Sequence, residues 1–496
     1  MKVKNIIFSF LLSAFICASA HGQARAPHSL YFMETIPQIT QVNPAHQPRA
    51  NMYVILPINF GIDIASDLAV RDFLQKQGNS YYTLVEKQYQ YKELYNSIGK
   101  AAMLNGGFDA DLFGFGFRTL NGYFSFGVSQ HTAYKFAMPK AFFEILDEGF
   151  PSKTFDFSPL RLQAKSFMQF SIGYSRKIND KLTVGINVKP LFGQIAATTR
   201  FKELELRTGL SEWSFRGEGD VYLSAPEIIT KIDIDAEEDK IESKNIFDEK
   251  YGPKPQNSEY INHYMFKNPG IAFDFGAVYQ IDERLSVSAA LNNIGFISWN
   301  QDLSRMKYKG GFTFDAEDIT ISPPEQKIGD IGDKIAEKFE DGILEDLSLS
   351  DDNKFKTSPT PVLYVGALYE LIPGISTGLT SRTTFWQNGL RQSFNLSLYL
   401  QPYSFFALNT GATWQLRGNA YLGGGFMFLL GPLQLYLLAD YIPLNYSTIT
   451  IDDDKWGEYI PEKQKTLTYR LGLNLIFGRH GYVNKPMLNK GVSSWN

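Results

Sequence analysis

GIAFDFGAVYQIDERLSVSAALNNIGFISW, residues 270–299, alternates between two kinds of side chain. Apolar and aromatic residues occupy every second position, and small or polar residues lie between them. The alternation breaks at Asp282-Glu283-Arg284 and then resumes. A period of two over this length predicts two β-strands joined by a tight turn. Each arm has roughly the 9–11 residues that a tilted strand needs to cross a bilayer.

One face of this predicted hairpin is apolar and aromatic, and the other is small and polar, with Asp274 in it. A soluble β-sandwich would bury the first face and expose the second to water. A membrane barrel would turn the first face to lipid and the second to its lumen. The rest of the chain has to distinguish these two architectures.

The amino-acid composition excludes some classes of protein but does not decide between a soluble sandwich and a membrane barrel. The chain has 496 residues, of which 44% are hydrophobic and 15% aromatic, which suits both the aromatic girdles of a barrel and a large sandwich core. The mean hydropathy of -0.20 is too low for a helical membrane protein. After the N-terminal leader, no stretch reaches the ~18 apolar residues of a spanning helix. The net charge of -4 gives no support for nucleic-acid binding.

The N-terminus predicts export. A basic start and the apolar run Ile6–Ile16 precede Ala18-Ser19-Ala20, which has the small-x-small pattern of a cleavage site. We therefore predict a secretory signal peptide over residues 1–20. The only cysteine of the chain, Cys17, lies inside it. The mature protein is then a large exported chain without disulfides to stabilise it.

Alternating segments recur along the chain, and their connections fall into two length classes. The short connections follow Leu120, Ile178, Ile281, Leu371, Gln401 and Leu430. The long connections are 66–107, 131–158, 197–267, 298–360 and 445–464. Two further short turns, at Asn388 and Arg417, share the side of the long ones.

This sorting decides the fold class. If a hairpin within 197–267 is an external excursion, the count is about fourteen strands, with both termini on the short-turn side. Outer-membrane barrels have even strand numbers, short periplasmic turns and long outer loops, whereas a sandwich has no reason to sort its loops by side. We predict an all-β transmembrane antiparallel up-and-down β-barrel located in the cell outer membrane, with a secreted sandwich as the alternative.

The segment before the first strand needs cover. It carries apolar residues without strand rhythm: Tyr31, Phe32, Ile36, Ile39 and Val42. Because the lumen of a barrel with this many strands is wide enough, we expect the segment inside the barrel or against its periplasmic mouth. The predicted division is a signal peptide at 1–20, an N-terminal plug-like segment at 21–50, a barrel at 51–478 and a C-terminal periplasmic tail at 479–496.

One short motif matches a catalytic pattern, but the predicted elements around it do not fit that pattern. Gly374-Ile375-Ser376-Thr377-Gly378 matches G-x-S-x-G, but a nucleophile elbow needs a strand before it and a helix after it. Here a turn precedes the motif and a predicted strand follows it. We therefore predict that the protein is not an enzyme and uses no cofactor.

Motifs for metal binding fail as well. In Asp452–Gly457, Trp456 stands where a calcium loop requires an oxygen ligand, and Lys463 stands where the bidentate glutamate belongs. The six histidines lack metal-ligand spacing, and His46 and His131 are interpreted as loop or strand-end residues. The acidic runs at 233–249 and 341–352 are interpreted as solvated loops, with weak cation binding near lipopolysaccharide as the alternative.

Charged residues on the polar faces of the predicted strands remain. The lumen-facing candidates are Asp63, Lys189, Asp274, Arg382, Asp440 and Arg470. They form either a structural charge network or the contacts of a solute path. Counting inward from the loop at 445–464 places Asp440 opposite residues 469–470. We therefore predict an ion pair between Asp440 and Arg470.

Two motifs carry a family resemblance. Asn43-Pro44-Ala45 precedes the first strand, and the hairpin Gly270–Gly295 follows later. Together they resemble the FadL-type outer-membrane barrels, and specifically an uncharacterised family of predicted Gram-negative barrels related to them. That resemblance implies fourteen strands, a plugged lumen and apolar ligands such as fatty acids, and some relatives act as shuttles in protein secretion. The chain departs from the group in its large acidic loops and charged inner face, so no ligand residue is carried over.

Two functions from different classes follow. The first is a FadL-like transporter or channel for a hydrophobic or amphipathic small molecule. The second is a non-transporting scaffold that binds exported proteins through the loops at 66–107, 197–267 and 298–360. The expected partners are the lipid bilayer and lipopolysaccharide, with a small molecule or exported proteins according to the function, and no nucleic acid.

Overall fold

The computed structural model describes most of the chain. The described residues are 27–77, 80–83, 89–225, 230–235, 240–245, 266–315, 346–350, 354–386, 389–416, 420–442, 446–450, 457–461 and 465–479. The predicted signal peptide, a helix that the sequence predicts near 331–343, residues 452–456 of the rejected calcium-loop motif and the tail after residue 479 lie outside these ranges.

Fourteen strands of the described residues close into one antiparallel barrel. They are β1 (Ala50–Ser66), β2 (Ala101–Arg118), β3 (Gly122–Pro139), β4 (Arg161–Lys177), β5 (Leu182–Arg207), β6 (Pro269–Gln280), β7 (Leu285–Trp299), β8 (Val362–Ile372), β9 (Ile375–Trp386), β10 (Gly389–Tyr403), β11 (Phe406–Gln415), β12 (Ala420–Leu430), β13 (Leu433–Ile442) and β14 (Thr466–Arg479). Each strand pairs with the next, and β14 returns to pair with β1, from Ala50 opposite Arg479 to Ala65 opposite Thr466. The predicted fold class is confirmed.

Shorter elements occupy the long connections. The strands are Leu74–Gln77, Ser80–Thr83, Thr154–Asp156, Glu212–Ser224, Thr230–Asp235, Lys240–Asn245, Leu303–Asp315, Leu347–Ser350, Phe355–Thr357, Tyr446–Thr450 and Gly457–Pro461. The helices are α1 (Tyr91–Ser97) and α2 (Lys140–Glu148), with 3-10 turns at His28–Leu30, Pro37–Gln41 and Val70–Phe73. The sequence also predicts short helices at Pro139–Asp147, where the structure has α2, and around Tyr82–Ile98, where the described residues include α1.

The outer surface of the barrel is apolar. On β6, Ile271, Phe275 and Tyr279 are exposed while Ala272 and Asp274 are buried, as the alternation predicts. The same outward row continues around the barrel, with Phe60, Phe117, Ile172, Ile186, Phe296, Val365, Leu379, Leu396, Leu422, Leu435 and Tyr469. Soluble proteins rarely expose an apolar patch of more than a few hundred Å². The belt therefore faces lipid, and the strands span the membrane.

Two local departures shape the wall. Pro57 lies inside β1, where the register slips between Ile55 and Asn59 against both neighbouring strands. A bulge is a position where a strand tolerates a residue without an N–H donor. The sequence places Pro57 near the strand start or at a bulge, and the structure shows the bulge. The sequence pattern predicts a strand over Leu182–Pro190, but β5 is longer because its outer half leaves the barrel to pair with Glu212–Ser224.

An external sheet grows from that outer half of β5. Glu212–Ser224 pairs with Leu303–Asp315, which in turn pairs with Leu347–Ser350. Helix α2 covers it through an apolar cluster that contains Ala141, Phe155, Leu206, Trp213 and Phe314. The hairpin within 197–267 is thus an excursion at the long-loop end, as the strand count required.

No helix among the described residues is long and apolar enough to cross a membrane.

Candidate functional site: a lumenal cavity beside an N-terminal plug

Residues 27–49 lie inside the barrel and are named the plug here. Their apolar side chains are fully buried, including Leu30, Tyr31, Met33, Ile36 and Ile39. They pack against inward-facing wall residues, among them Tyr53, Tyr364, Tyr399, Met427 and Leu438. The main hydrophobic core of this protein is therefore the contact between the plug and the wall.

Wall amides satisfy the backbone of the plug. Asn409 donates to the Ser29 carbonyl at 3.0 Å, Gln434 to the Thr35 carbonyl at 2.7 Å, and Asn292 to the Val42 carbonyl at 2.8 Å. A segment outside a sheet leaves buried carbonyls that need such donors. The polar inner face of the strands thus has a structural role over the periplasmic half of the lumen.

The Asn43-Pro44-Ala45 motif docks into the wall. The Asn43 side chain accepts from the Ala45 N–H at 2.9 Å, which closes a turn. That turn lies directly on Gly185 of β5 and Gly276 of β6, where any Cβ atom would overlap the motif. The two parts of the sequence that carry the family resemblance are therefore in contact with each other.

A polar cluster closes the plug at the short-turn end. Arg49 donates to the Gln401 side chain at 2.7 Å and lies 3.5 Å from a Glu34 carboxylate oxygen. Arg118 donates to the Pro48 carbonyl at 2.7 Å. Burial by itself would raise the pKa of Glu34, but His46 and Arg49 beside this carboxyl lower the pKa to about 2.

All six charged candidates from the sequence are buried in the lumen, with exposed fractions of 0–6%. Among them, Lys189 and Asp274 form an ion pair at 2.5 Å, and Arg382 lies close enough to Asp63 and Asp440 to interact with both carboxylates electrostatically. Asp63 accepts from the Thr468 hydroxyl at 2.7 Å, and Arg382 donates to the Tyr441 hydroxyl. Asp440 instead accepts from the backbone N–H of His28 in the plug.

The predicted ion pair between Asp440 and Arg470 is wrong. Asp440 lies opposite Thr468, and Arg470 lies opposite Leu438, so the register differs by about one step of the pleat from the expected one. Both side chains do face inward. Arg470 pairs with Asp111 of β2 at 3.0 Å, across Gly61 of β1, which has no side chain to intervene. Closure of the barrel provides this partner, and counting along one hairpin could not.

Strands β2 and β3 carry lumenal residues that the sequence interpretation missed. The sequence pattern predicts this strand only from Leu112 onward, and it indicates a loop or strand-end position for His131. In the structure, β2 starts at Ala101 and His131 lies within β3. Asp109 and Asp111 are buried on the inner face of β2. The alternation of polar with apolar residues over 104–111 could have shown that this segment is a strand, but the Gly106-Gly107 pair interrupts the pattern.

A cavity lies beside the plug, and it extends from Tyr53 and Phe126 near the short-turn end of their strands to Asp63 and Asn105 near the long-loop end. It encloses about 1170 Å³, counting the part open to solvent. Its titratable lining residues are Asp63, Asp109, His131, Lys189 and Arg470; its amides are Gln41, Asn105, Gln169, Asn187, Asn292 and Asn293; its larger aromatic and apolar residues are Tyr53, Ile55, Phe126, Val362 and Tyr364. The site therefore offers hydrogen-bonding groups beside flat apolar surfaces.

The ion pairs at this cavity leave little net charge for a ligand to neutralise. His131 Nδ1 lies 2.7 Å from Asp109, Lys189 pairs with Asp274, and Arg470 pairs with Asp111. In the described part of the chain, no group of three or more His, Cys, Asp or Glu residues could hold a metal ion. The arrangement is suited to binding by hydrogen bonds and packing.

The wall itself is irregular beside the cavity. Pairing between β7 and β8 stops after Asn292, and β7 next pairs at Ile297 with Thr357. Asn293 has a φ of 63°, a left-handed conformation that asparagine tolerates better than most residues. The Asp274 carboxylate accepts from the backbone N–H of Asn293 at 2.8 Å, and Lys189 donates to the Asn293 side chain at 3.0 Å. The buried Lys189–Asp274 pair therefore holds this irregular part of β7 in place.

A family model described as "Family of unknown function (DUF5723)" matches residues 44–440, from the docked turn to Asp440 of β13. The chain belongs to the DUF5723 family. The match covers β1 to β12 and most of β13 of this DUF5723 member, and with them most of the wall that lines the cavity; Thr40, Gln41 and Arg470 lie outside it. No curated protein matches the chain.

Solved structures with similar folds are outer-membrane barrels of low identity to this DUF5723 chain. The Ralstonia pickettii toluene transporter TbuX is 8% identical, covers 92% of this chain and 96% of its own, and has a TM-score of 0.40. The Pseudomonas putida toluene transporter TodX is 8% identical, with 93% and 97% covered and a TM-score of 0.41. A Pseudomonas aeruginosa FadL homologue is 12% identical, with 93% and 98% covered and a TM-score of 0.42. Likeness at this level says nothing about what the DUF5723 chain binds.

Proposed function

We propose that this protein is an outer-membrane barrel that takes a small amphipathic molecule from the cell exterior into the lumenal cavity beside its plug. The apolar belt and the predicted signal peptide support the outer membrane as its location. The cavity reaches Asp63 and Asn105 near the long-loop end of the strands, which in this orientation is the outer end. Thr40 and Gln41 of the plug line the cavity, so passage onward requires the plug to move.

One observation carries the proposal, namely the mixed lining of the cavity. Tyr53, Phe126 and Tyr364 present rings, while Asn105 and Gln169 present amides. A purely apolar ligand would strip water from these amides without replacing their hydrogen bonds, which costs about 1–3 kcal/mol for each group. An amphipathic solute satisfies both kinds of surface. Of the two ligand types that the sequence left open, hydrophobic and amphipathic, the cavity favours the second.

A second function, a scaffold for exported proteins, has its own supporting observation. The external sheet built on β5 projects an ordered surface from the long-loop end, and the plug is bound tightly to the wall. A protein that only displayed this sheet would need no access to its lumen. The two functions therefore differ in whether a solute reaches the cavity.

Single-cysteine labelling distinguishes them, because the mature chain is expected to contain no cysteine. Ser171→Cys places a thiol on the cavity wall, whereas Ser397→Cys places one on β10, beside the Gly378 position that Phe32 of the plug covers. Both are inward-facing strand serines. A small charged thiosulfonate reagent is added to whole cells, and the labelled fraction is measured by mass spectrometry.

We expect rapid labelling of Ser171→Cys and little labelling of Ser397→Cys. Equal protection of the two thiols in folded protein would show that solutes do not enter the cavity, and would leave the scaffold as the better function. Equal labelling of both would show that the plug does not fill the lumen. Heat-modifiable migration on gels checks that each variant is folded.

A further inference from the structure

Four side chains on the cavity wall have polar atoms that meet no partner among the described residues. They are both amide atoms of Asn105, Nε2 of His131, Oδ1 of Asn292 and Nε of Arg470. All four residues are at most 8% exposed. The large majority of buried side-chain polar atoms have a partner, so five such atoms without one at a single cavity indicate a binding site for an exogenous group.

The proton positions follow from neighbouring contacts. Nδ1 of His131 donates to the Asp109 carboxylate, and the imidazole tautomer that this contact selects carries its lone pair on Nε2. Asn292 uses its amide nitrogen to donate to the Val42 carbonyl, so its free atom is the oxygen acceptor. Arg470 Nε is a donor, and Asn105 offers one donor and one acceptor.

This pattern of donors and acceptors selects a ligand class. A carboxylate accepts only and leaves His131 Nε2 and Asn292 Oδ1 without donors, and an ammonium group donates only. Hydroxyl groups donate and accept, so several on one molecule satisfy every free atom. Because the Lys189 and Arg470 cations that line the cavity are already paired with Asp274 and Asp111, an anionic ligand finds no counter-charge there, and the favoured ligand is neutral.

We propose that Asn105, His131 and Asn292 form a binding site for a neutral polyhydroxylated solute, a saccharide or sugar alcohol, whose ring or chain packs on the aromatic lining. Asp109 is the positioning residue that fixes the His131 tautomer. This inference rests on the proposed function, since it names the class of solute that enters the cavity.

The test measures protection of the Ser171→Cys thiol by defined solutes. The panel is glucose, maltose and mannitol, with decanoate and toluene as the anionic amphiphile and the hydrocarbon. We expect at least one neutral polyol to slow labelling in proportion to its occupancy, and decanoate and toluene to have no effect.

Variants in the same background assign the contacts. Asn105→Leu and His131→Phe should each raise the half-protecting concentration about fivefold to tenfold, as expected for the loss of one or two hydrogen bonds. Asn105→Gln retains the amide and should recover part of the effect. Asn395→Leu is the matched control, because Asn395 is an equally buried lumenal asparagine whose amide donates to Thr413 at 2.9 Å, away from the cavity lining.

The outcomes separate the two proposals. If Ser171→Cys is not labelled at all, access to the cavity and hence the proposed function fail. If the thiol is labelled but no polyol protects it up to the solubility limit, or if decanoate or toluene protects it regardless of Asn105→Leu, the cavity is used and the polyol site is wrong. A change in Asn395→Leu equal to that in Asn105→Leu would also overturn the assignment.

Discussion

Removing Asp111 should destabilise the barrel more than any exposed charge can. Its carboxylate accepts from Arg470 at 3.0 Å, from Gln41 of the plug at 3.1 Å and from Ser129 at 2.9 Å. The Arg470 and Asp111 side chains are 6% and 3% exposed. Asp111→Leu leaves the guanidinium buried without its counter-charge, and such a loss costs about 3–5 kcal/mol.

A double variant distinguishes the cost of leaving Arg470 without a counter-charge from the cost of losing the Asp111 side chain itself. Asp111→Leu with Arg470→Met removes both charges and fills the space with apolar atoms, which is often close to neutral for a buried pair. We therefore expect the double variant to be more stable than Asp111→Leu alone by at least about 2 kcal/mol. Glu283→Leu, in the exposed β6–β7 turn, should change stability by no more than about 0.5 kcal/mol.

The assay is urea unfolding of the barrel in lipid vesicles, followed by tryptophan fluorescence, with limited proteolysis of the plug as a second readout. Because Gln41 contacts both Asp111 and Arg470, plug release should accompany the loss of stability. A cost for Asp111→Leu below about 1 kcal/mol, or a double variant as unstable as the single one, would show that the pair is hydrated and that the dry, shared network is wrong.

Three further predictions concern the plug. Residues 27–49 should resist protease in the folded barrel, and ready removal of this segment would contradict its burial in the lumen. Gly276→Val should expel the Asn43–Ala45 turn and make the plug protease-sensitive, whereas Gly127→Val, whose Cβ meets only an ordinary contact at 3.9 Å, should not; equal sensitivity would refute the docking. Because the folded-state pKa of Glu34 is lowered from 4.5 to about 2, its charge stabilises the plug fully above about pH 5, and this contribution is lost as the pH falls towards 2. Glu34→Gln should flatten that part of a pH titration of plug protection, and an unchanged curve would exclude this carboxyl.

The parts of the site that sequence predicted are those that follow from the pattern within one strand. Asp63, Lys189 and Asp274 were assigned to the inner face because side chains alternate across a strand, and all three are buried there. Depth along the strand and register between strands are not contained in that alternation. This is why Asp440 and Arg470 were assigned to the correct face and paired incorrectly.

The cavity was beyond reach for a related reason. His131 was interpreted as a loop or strand-end residue. Its role depends on its contact with Asp109 of the neighbouring strand and on the part of the lumen that the plug leaves open. The Asn43-Pro44-Ala45 turn looks like an ordinary turn in sequence. Only Gly185 and Gly276, on two strands far along the chain, show that it is a docking element.

The sequence by itself determined the class of fold, the number of strands, the side of the long loops and the segment that needed cover. Each of these follows from local periodicity and from connection length, which short-range geometry imposes on the chain. Only the tertiary structure decided that Arg470 pairs with Asp111, that a polar cavity lies beside the plug, and that Asn105 and His131 face the same space. Barrel closure joins β14 to β1 and brings together residues separated by hundreds of positions, and no pattern within a single strand contains that information.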